Sequence, residues 1–187
     1  STKDIKTNIF ACIDNNSYLR KSNDNLYKMN NFAELVKNRR STRQFTQEPL
    51  LPHEVEQLMR SALMAPSSKN SRPWQFVLVE DKETLGKLSI SKESVASFLE
   101  IAPLAIIVLS DPVLSGAHIE DATIAAAYIQ LQAEDMGLGS CWIQVAGRET
   151  SDGYDSEQFV RDLLDIPLQL AVGCIIAIGH KEKTGKP

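Results

Sequence analysis

The chain has little cysteine. Cys12, Cys141 and Cys174 are widely spaced, form no CxxC pair and are odd in number, which argues against a disulfide framework and suits a reducing, cytoplasmic setting. Histidine is as scarce: His53, His118 and His180 are scattered, so no metal site is expected. No apolar run reaches the length of a membrane span, and no signal-peptide pattern is present. Positive charge is not in excess. The formal net charge is -4, so a broad nucleic-acid-binding surface has weak support and any anion site must be local. Also missing are a GxxxxGK[ST] phosphate loop, a GxGxxG turn after a strand, a GxSxG elbow and a spaced pair of carboxylates for acid/base work. With no protein-borne nucleophile in view, a bound cofactor is a natural carrier of chemistry.

What is present fits one domain. A length of 187 residues supports a single sizeable core. Residues 1–28 are rich in Asn, Lys, Ser and Asp without sustained period; they read as a leader, or as an arm packing on a partner through Ile5, Ile9, Phe10, Tyr18 and Leu19. The single domain is expected over residues 29–187. Helical periodicity marks segments starting near Met29, Pro52, His118 and Ser156. The near-continuous apolar runs APLAIIVLSD and LQLAVGCIIAIGH read as buried strands. WQFVLVE and GSCWIQ are further strand candidates. The middle of HIEDATIAAAYIQLQAEDMG is apolar almost all round, which predicts burial on more than one side, in a core or at a dimer interface. Alternating helices and apolar strands imply a sheet covered on both faces.

Positive charge is concentrated in NRRSTRQF, residues 38–45, which places Arg39, Arg40 and Arg43 beside the hydroxyls of Ser41 and Thr42. Guanidinium pairs grip phosphate oxygens through charge-assisted bonds; an exposed basic helix end is the plainer reading. PSSKNSRPWQF puts Ser67, Ser68, Asn70, an arginine and a tryptophan into a loop before a strand, and an asparagine amide can both donate and accept at a ring edge. GLGSCWIQ joins a helix stop to a strand.

In this order, RRSTRQF, APSSKNSRPWQF, the alanine-rich helix ending in GLGSCWI, and LAVGCIIAIGHK resemble the nitroreductase family from about Phe32 to the C-terminus. The resemblance implies an α+β three-layer sandwich, a mixed central sheet flanked by helices, working as a homodimer with FMN at the interface. It implies that Arg39, Arg40 and Ser41 grip the phosphate and ribityl chain, and that Arg43 faces flavin N1 and O2. Pro66, Ser67, Ser68 and Asn70 would come from the opposite subunit, and the backbone at Ile143 and Gln144 would run beside N5 and O4. Lys181 and Lys183 stand where further basic residues reach the phosphate. The expected activity is transfer of electrons from NADH or NADPH through flavin N5, in ping-pong order, to a nitroaromatic, quinone or similar electron-poor small molecule. No catalytic side chain is needed, and no nucleic acid or membrane is involved. A flavin-binding relative with a specialised role and a non-enzymatic interaction module are the alternatives. The short stretch PVLSGA, where larger relatives carry an inserted helix, implies an open pocket.

Overall fold

The computed structural model describes residues 8–10, 32–91 and 96–182. Five strands form one sheet in the order β1-β2-β3-β5-β4: β1 (Asn8–Phe10), β2 (Trp74–Val79), β3 (Leu104–Ser110), β4 (Leu138–Gln144) and β5 (Ala171–His180). The helices are α1 (Phe32–Asn38), α2 (Pro52–Leu63), α3 (Lys82–Leu88), α4 (His118–Asp135) and α5 (Ser156–Leu164). All four ladders are antiparallel. Among the described residues, the mixed character expected of the sheet appears as one isolated parallel bridge, Ser41 to Ser140. The physical reason is the path of β5, which enters between β3 and β4 and runs against both. The leader is not wholly outside this sheet, because Asn8–Phe10 pairs with β2.

Alternation in the strands builds the layers. Leu104, Ile106 and Val108 of β3 pack with Leu58, Ala62, Ala125 and Ile129 of α2 and α4 on one face. Ala105, Ile107 and Leu109 pack with Leu85, Leu88 and Val160 of α3 and α5 on the other. Both faces being buried, β3 has no polar side, which is why its sequence is a continuous apolar run. In β5 the parity breaks at Gly173: Val108 pairs Cys174 but Leu109 pairs Val172. This bulge sends Cys174 toward α4 and Val172 toward α5.

The helix ends follow local chemistry. Pro52 occupies the first turn of α2, where its missing N–H costs nothing. Asp155 caps α5 by accepting from the Gln158 N–H at 2.8 Å. Asp81 caps α3, accepting from the Thr84 N–H and hydroxyl, both at 2.8 Å. Those two bonds hold the Asp81 carboxyl below its ordinary pKa. A depressed folded-state pKa adds stability above the unfolded value and loses it as pH falls through the folded one. Asp81→Ala should therefore lower the thermal midpoint at neutral pH, with the difference from wild type vanishing in acid; a pH series of melts checks this.

Helix α4 turns one stripe inward, with Ala122, Ala125, Ala126, Ile129 and Ala133 buried. Its opposite face leaves Ile124 and Tyr128 at 36% and 38% exposure, with Thr123 and Ala127 exposed beside them. The near-complete apolarity read in the sequence is thus used on one side only within this chain. The helix stops where Gly137 takes φ 76°, a conformation that favours glycine.

Candidate functional site

The arginine strip is extended and lies against two strand ends. The Thr42 N–H donates to the Ser140 carbonyl at 2.8 Å and the Thr46 N–H to the His180 carbonyl at 2.9 Å. Phe45 is buried, bridges to Lys181 and meets Phe98 with ring centroids 6.4 Å apart. This anchoring fixes Arg39 to Arg43 along the start of β4.

The three arginines do different things. Arg40 is turned back, its guanidinium donating to the Lys37 and Arg39 carbonyls, each at 2.7 Å, so it caps the end of α1. Arg39 is half-buried and Arg43 exposed, and neither has a carboxylate partner among the described residues. Lys181 is engaged: its ammonium contacts both oxygens of Glu134 at 3.0 and 2.9 Å, with the two side chains 18% and 13% exposed. The local positive charge therefore comes from the arginines. Lys183 lies outside the described residues.

Strand β4 carries the next pair of predicted residues. The Ser140 carbonyl faces the arginine strip, and backbone direction alternates along an antiparallel strand. Trp142 and Gln144 therefore turn their backbone groups to the same open edge, while Ile143 turns toward β5. The Ile143 side chain is core. From Ser140 to Gln144 the strand runs about 13 Å. The Gln144 side chain is tied on both sides, accepting from the Trp142 indole at 3.0 Å and donating to the Ala146 carbonyl at 3.0 Å.

Beside these residues lies a cavity of ≈ 150 Å³, bordered by Trp142, Gln144, Ala122, Ile119, Gly173 and Cys174 among others. Its wall is mostly apolar. Burial pushes the Cys174 thiol well above its ordinary pKa, so it presents neutral sulfur rather than a nucleophile.

The second predicted segment, Pro66, Ser67, Ser68 and Asn70, follows α2 and forms a short 3-10 turn at Ser68–Asn70. Lys69, Asn70 and Arg72 take φ of 52°, 55° and 49°, a left-handed conformation that costs non-glycine residues roughly 1–2 kcal/mol each. The loop is braced by the Arg72 N–H donating to Ser67 Oγ at 3.0 Å and by Arg72 Nε donating to Asn70 Oδ1 at 3.1 Å. Among the described residues, its hydrogen bond to the rest of the fold comes from the Ser68 N–H, which donates to Asp121 Oδ1 at 2.8 Å.

Within one chain the two segments are apart. The loop meets α4 at Asp121, whereas Lys181 meets the far end at Glu134, and the arginine strip is paired with Ser140, whose Oγ lies 3.5 Å from Gln130 Nε2. Along the helix that separation is roughly 14–20 Å. Sequence reading singled out neither Asp121 nor Glu134. A signal existed for Glu134: an acid in the last turn opposes the helix dipole and calls for a cation. Asp121 sits in the first turn, where an acid is ordinary, so nothing in the sequence marked it.

The sequence matches the profile of the Nitroreductase family over residues 36–100 and 87–180. A solved structure described as an FMN-dependent nitroreductase from Clostridium difficile R20291 is 42% identical, with a TM-score of 0.78 over 81% of this chain and 88% of that one. A protein of Archaeoglobus fulgidus with the provisional name NADH dehydrogenase/NAD(P)H nitroreductase is 31% identical over 156 residues, 81% of this chain and 86% of its own length. A crystal structure of a similarly named protein from Parabacteroides distasonis is 30% identical with a TM-score of 0.76, over 83% of this chain and 89% of that one. With the α+β sandwich and the family profile both in place, this chain belongs to the nitroreductase family of oxidoreductases.

Proposed function

We propose that two copies of the chain hold FMN between them and pass electrons from NAD(P)H to an electron-poor small molecule. The observation that supports this is that the two segments expected to hold the ligand lie toward opposite ends of α4. The exposed apolar residues Ile124, Ala127 and Tyr128 sit near the midpoint between Asp121 and Glu134. A twofold axis through that patch makes the same surface meet itself. It carries the loop end of one α4 onto the arginine end of the other, bringing residues 66–70 of one copy to Arg39 and Arg43 of its mate.

The residues fit the cofactor. Arg39, without an acid partner among the described residues, is placed to grip phosphate together with the Ser41 hydroxyl. Arg43 lies further along the strip and supplies fixed positive charge toward the ring. The Gln144 N–H, turned to the open edge of β4, is the donor for the ring edge, and the apolar wall of Trp142 and Ala122 excludes water. Asn70 and the Ser67 and Ser68 hydroxyls reach in from the opposite copy. Lys183 remains a candidate for the phosphate; Lys181 reaches it only if Glu134 releases it. Bound FMN would supply the redox chemistry itself, alternating between NADH or NADPH and a nitroaromatic, quinone or related acceptor in ping-pong order. Protons come from water, in keeping with the lack of an acid/base pair in the strip.

The test is direct. Protein reconstituted with FMN should sediment as a dimer, be yellow, bleach anaerobically with NADH or NADPH and recover colour on adding a nitroaromatic or quinone. Yellow protein that neither nicotinamide bleaches would favour a specialised flavin-binding relative. Protein that stays colourless, or stays monomeric at high concentration, would end the reading.

A further inference from the structure

Resting on the reading above, we propose that Asp121 is the positioning residue for the flavin site of the opposite subunit, acting through the loop at residues 66–70. The residue is 3% exposed and both carboxylate oxygens are used. Oδ1 accepts from the Ser68 N–H at 2.8 Å, and Oδ2 accepts from the Ser115 hydroxyl at 2.9 Å. Ser115 in turn accepts from the Ala117 N–H at 3.1 Å. One buried group thus ties together the loop after α2 and the loop between β3 and α4. A carboxylate suits this because it accepts at both ends and donates at neither.

The loop depends on that tie. Among the described residues, the other hydrogen bonds of residues 66–72 are internal to the loop. Three of its residues are left-handed without being glycine. Such a backbone persists where its surroundings over-determine it, and the bond to Asp121 is the external constraint. Asp121 lies in the first turn of α4, whose partial positive charge favours a carboxylate there. The same residue therefore sets which way Ser68 and Asn70 project from the surface.

The test compares FMN binding in Asp121→Ala and Asp121→Asn dimers by quenching of flavin fluorescence and by visible circular dichroism of the bound flavin. Asparagine keeps an acceptor for the Ser68 N–H and can donate to Ser115, so it should stay within about threefold of wild type, whereas alanine should weaken binding by about tenfold or more. A mixed dimer separates loop positioning from a general structural role. Pairing an Asp121→Ala subunit with an Arg39→Ala subunit should rebuild one intact site, because the sound loop of one copy then meets the sound arginine of the other. Recovery of half the flavin sites at wild-type affinity supports the proposal; no recovery overturns it. If Asp121→Ala does not fold, Ser68→Pro, which deletes the donating N–H, should bind FMN about tenfold more weakly than Ser68→Ala, which keeps it; equal binding overturns the proposal. Wild-type dimer that binds FMN while Asp121→Ala binds it equally well removes the role of Asp121 and leaves the flavin site standing. Wild-type protein that takes up no FMN removes both.

Discussion

Replacing Arg39 by alanine is expected to weaken FMN retention by roughly 1.5–3 kcal/mol, the scale of a hydrogen bond to a charged group, or about 10- to 150-fold in Kd. The three arginines of the strip are chemically alike, so the prediction gains force from their different surroundings. Arg40 already spends donors on the Lys37 and Arg39 carbonyls; its removal should cost α1 a C-terminal cap more than it costs the ligand. Arg43 is exposed and further along, and its removal should shift the flavin potential more than retention. Arg39 is half-buried beside the end of α1, with its own N–H bonded to the Leu35 carbonyl at 2.9 Å. Its backbone is fixed while its guanidinium is unclaimed by any described carboxylate. Arg39→Lys should recover part of the affinity, since a point charge replaces a fork. Fluorescence titration of all three variants at two salt concentrations checks the ranking. Unchanged affinity in Arg39→Ala would remove the phosphate assignment.

Gly139→Ala should damage the same site without touching any group proposed to bind the ligand. A methyl at this position would stand 2.6 Å from Thr42 Cγ2, 2.7 Å from its Cβ and 2.8 Å from its Oγ1. Thr42 cannot swing aside cheaply: it is β-branched and stiff at χ1, and its N–H is bonded to the Ser140 carbonyl. The strip must lift from β4. Overpacking of this kind costs about 1–3 kcal/mol of stability, and the lifted strip carries Arg39 and Arg43 out of register with Gln144. FMN affinity should fall at least as far as in Arg39→Ala. Adding Thr42→Gly to Gly139→Ala removes the colliding atoms and should restore most of the binding. Loss of affinity that Thr42→Gly does not relieve would point to a cause other than this contact.

How much of this was legible in the sequence depended on the range of the interaction. The apolar runs of β3 and β5 declared themselves because both faces of the sheet are covered, so no polar alternation interrupts them. Pro52 at the head of α2 is a signal read within one turn, and for α5 the local sequence offers Asp155 and Ser156 as caps, of which Asp155 makes the bond. The arginine strip and the serine-rich loop were visible as local concentrations of donors. The links joining them to the fold were not. Lys181 finds Glu134 across 47 positions and Ser68 finds Asp121 across 53; such pairings leave no local pattern. The strand at Asn8–Phe10 was missed because its neighbours show no alternation, and its place at the sheet margin comes from backbone pairing with β2. The break of parity at Gly173 was equally silent, since a bulge is a property of two strands together.

The lateral border of β4 has a further consequence. Among the described residues the arginine strip pairs with it at Ser140, and no ladder covers the stretch from Trp142 to Gln144 on that side; unpaired strand borders recruit foreign strands and seed aggregates. A resident cofactor lodged there would act as a stopper as well as a reagent.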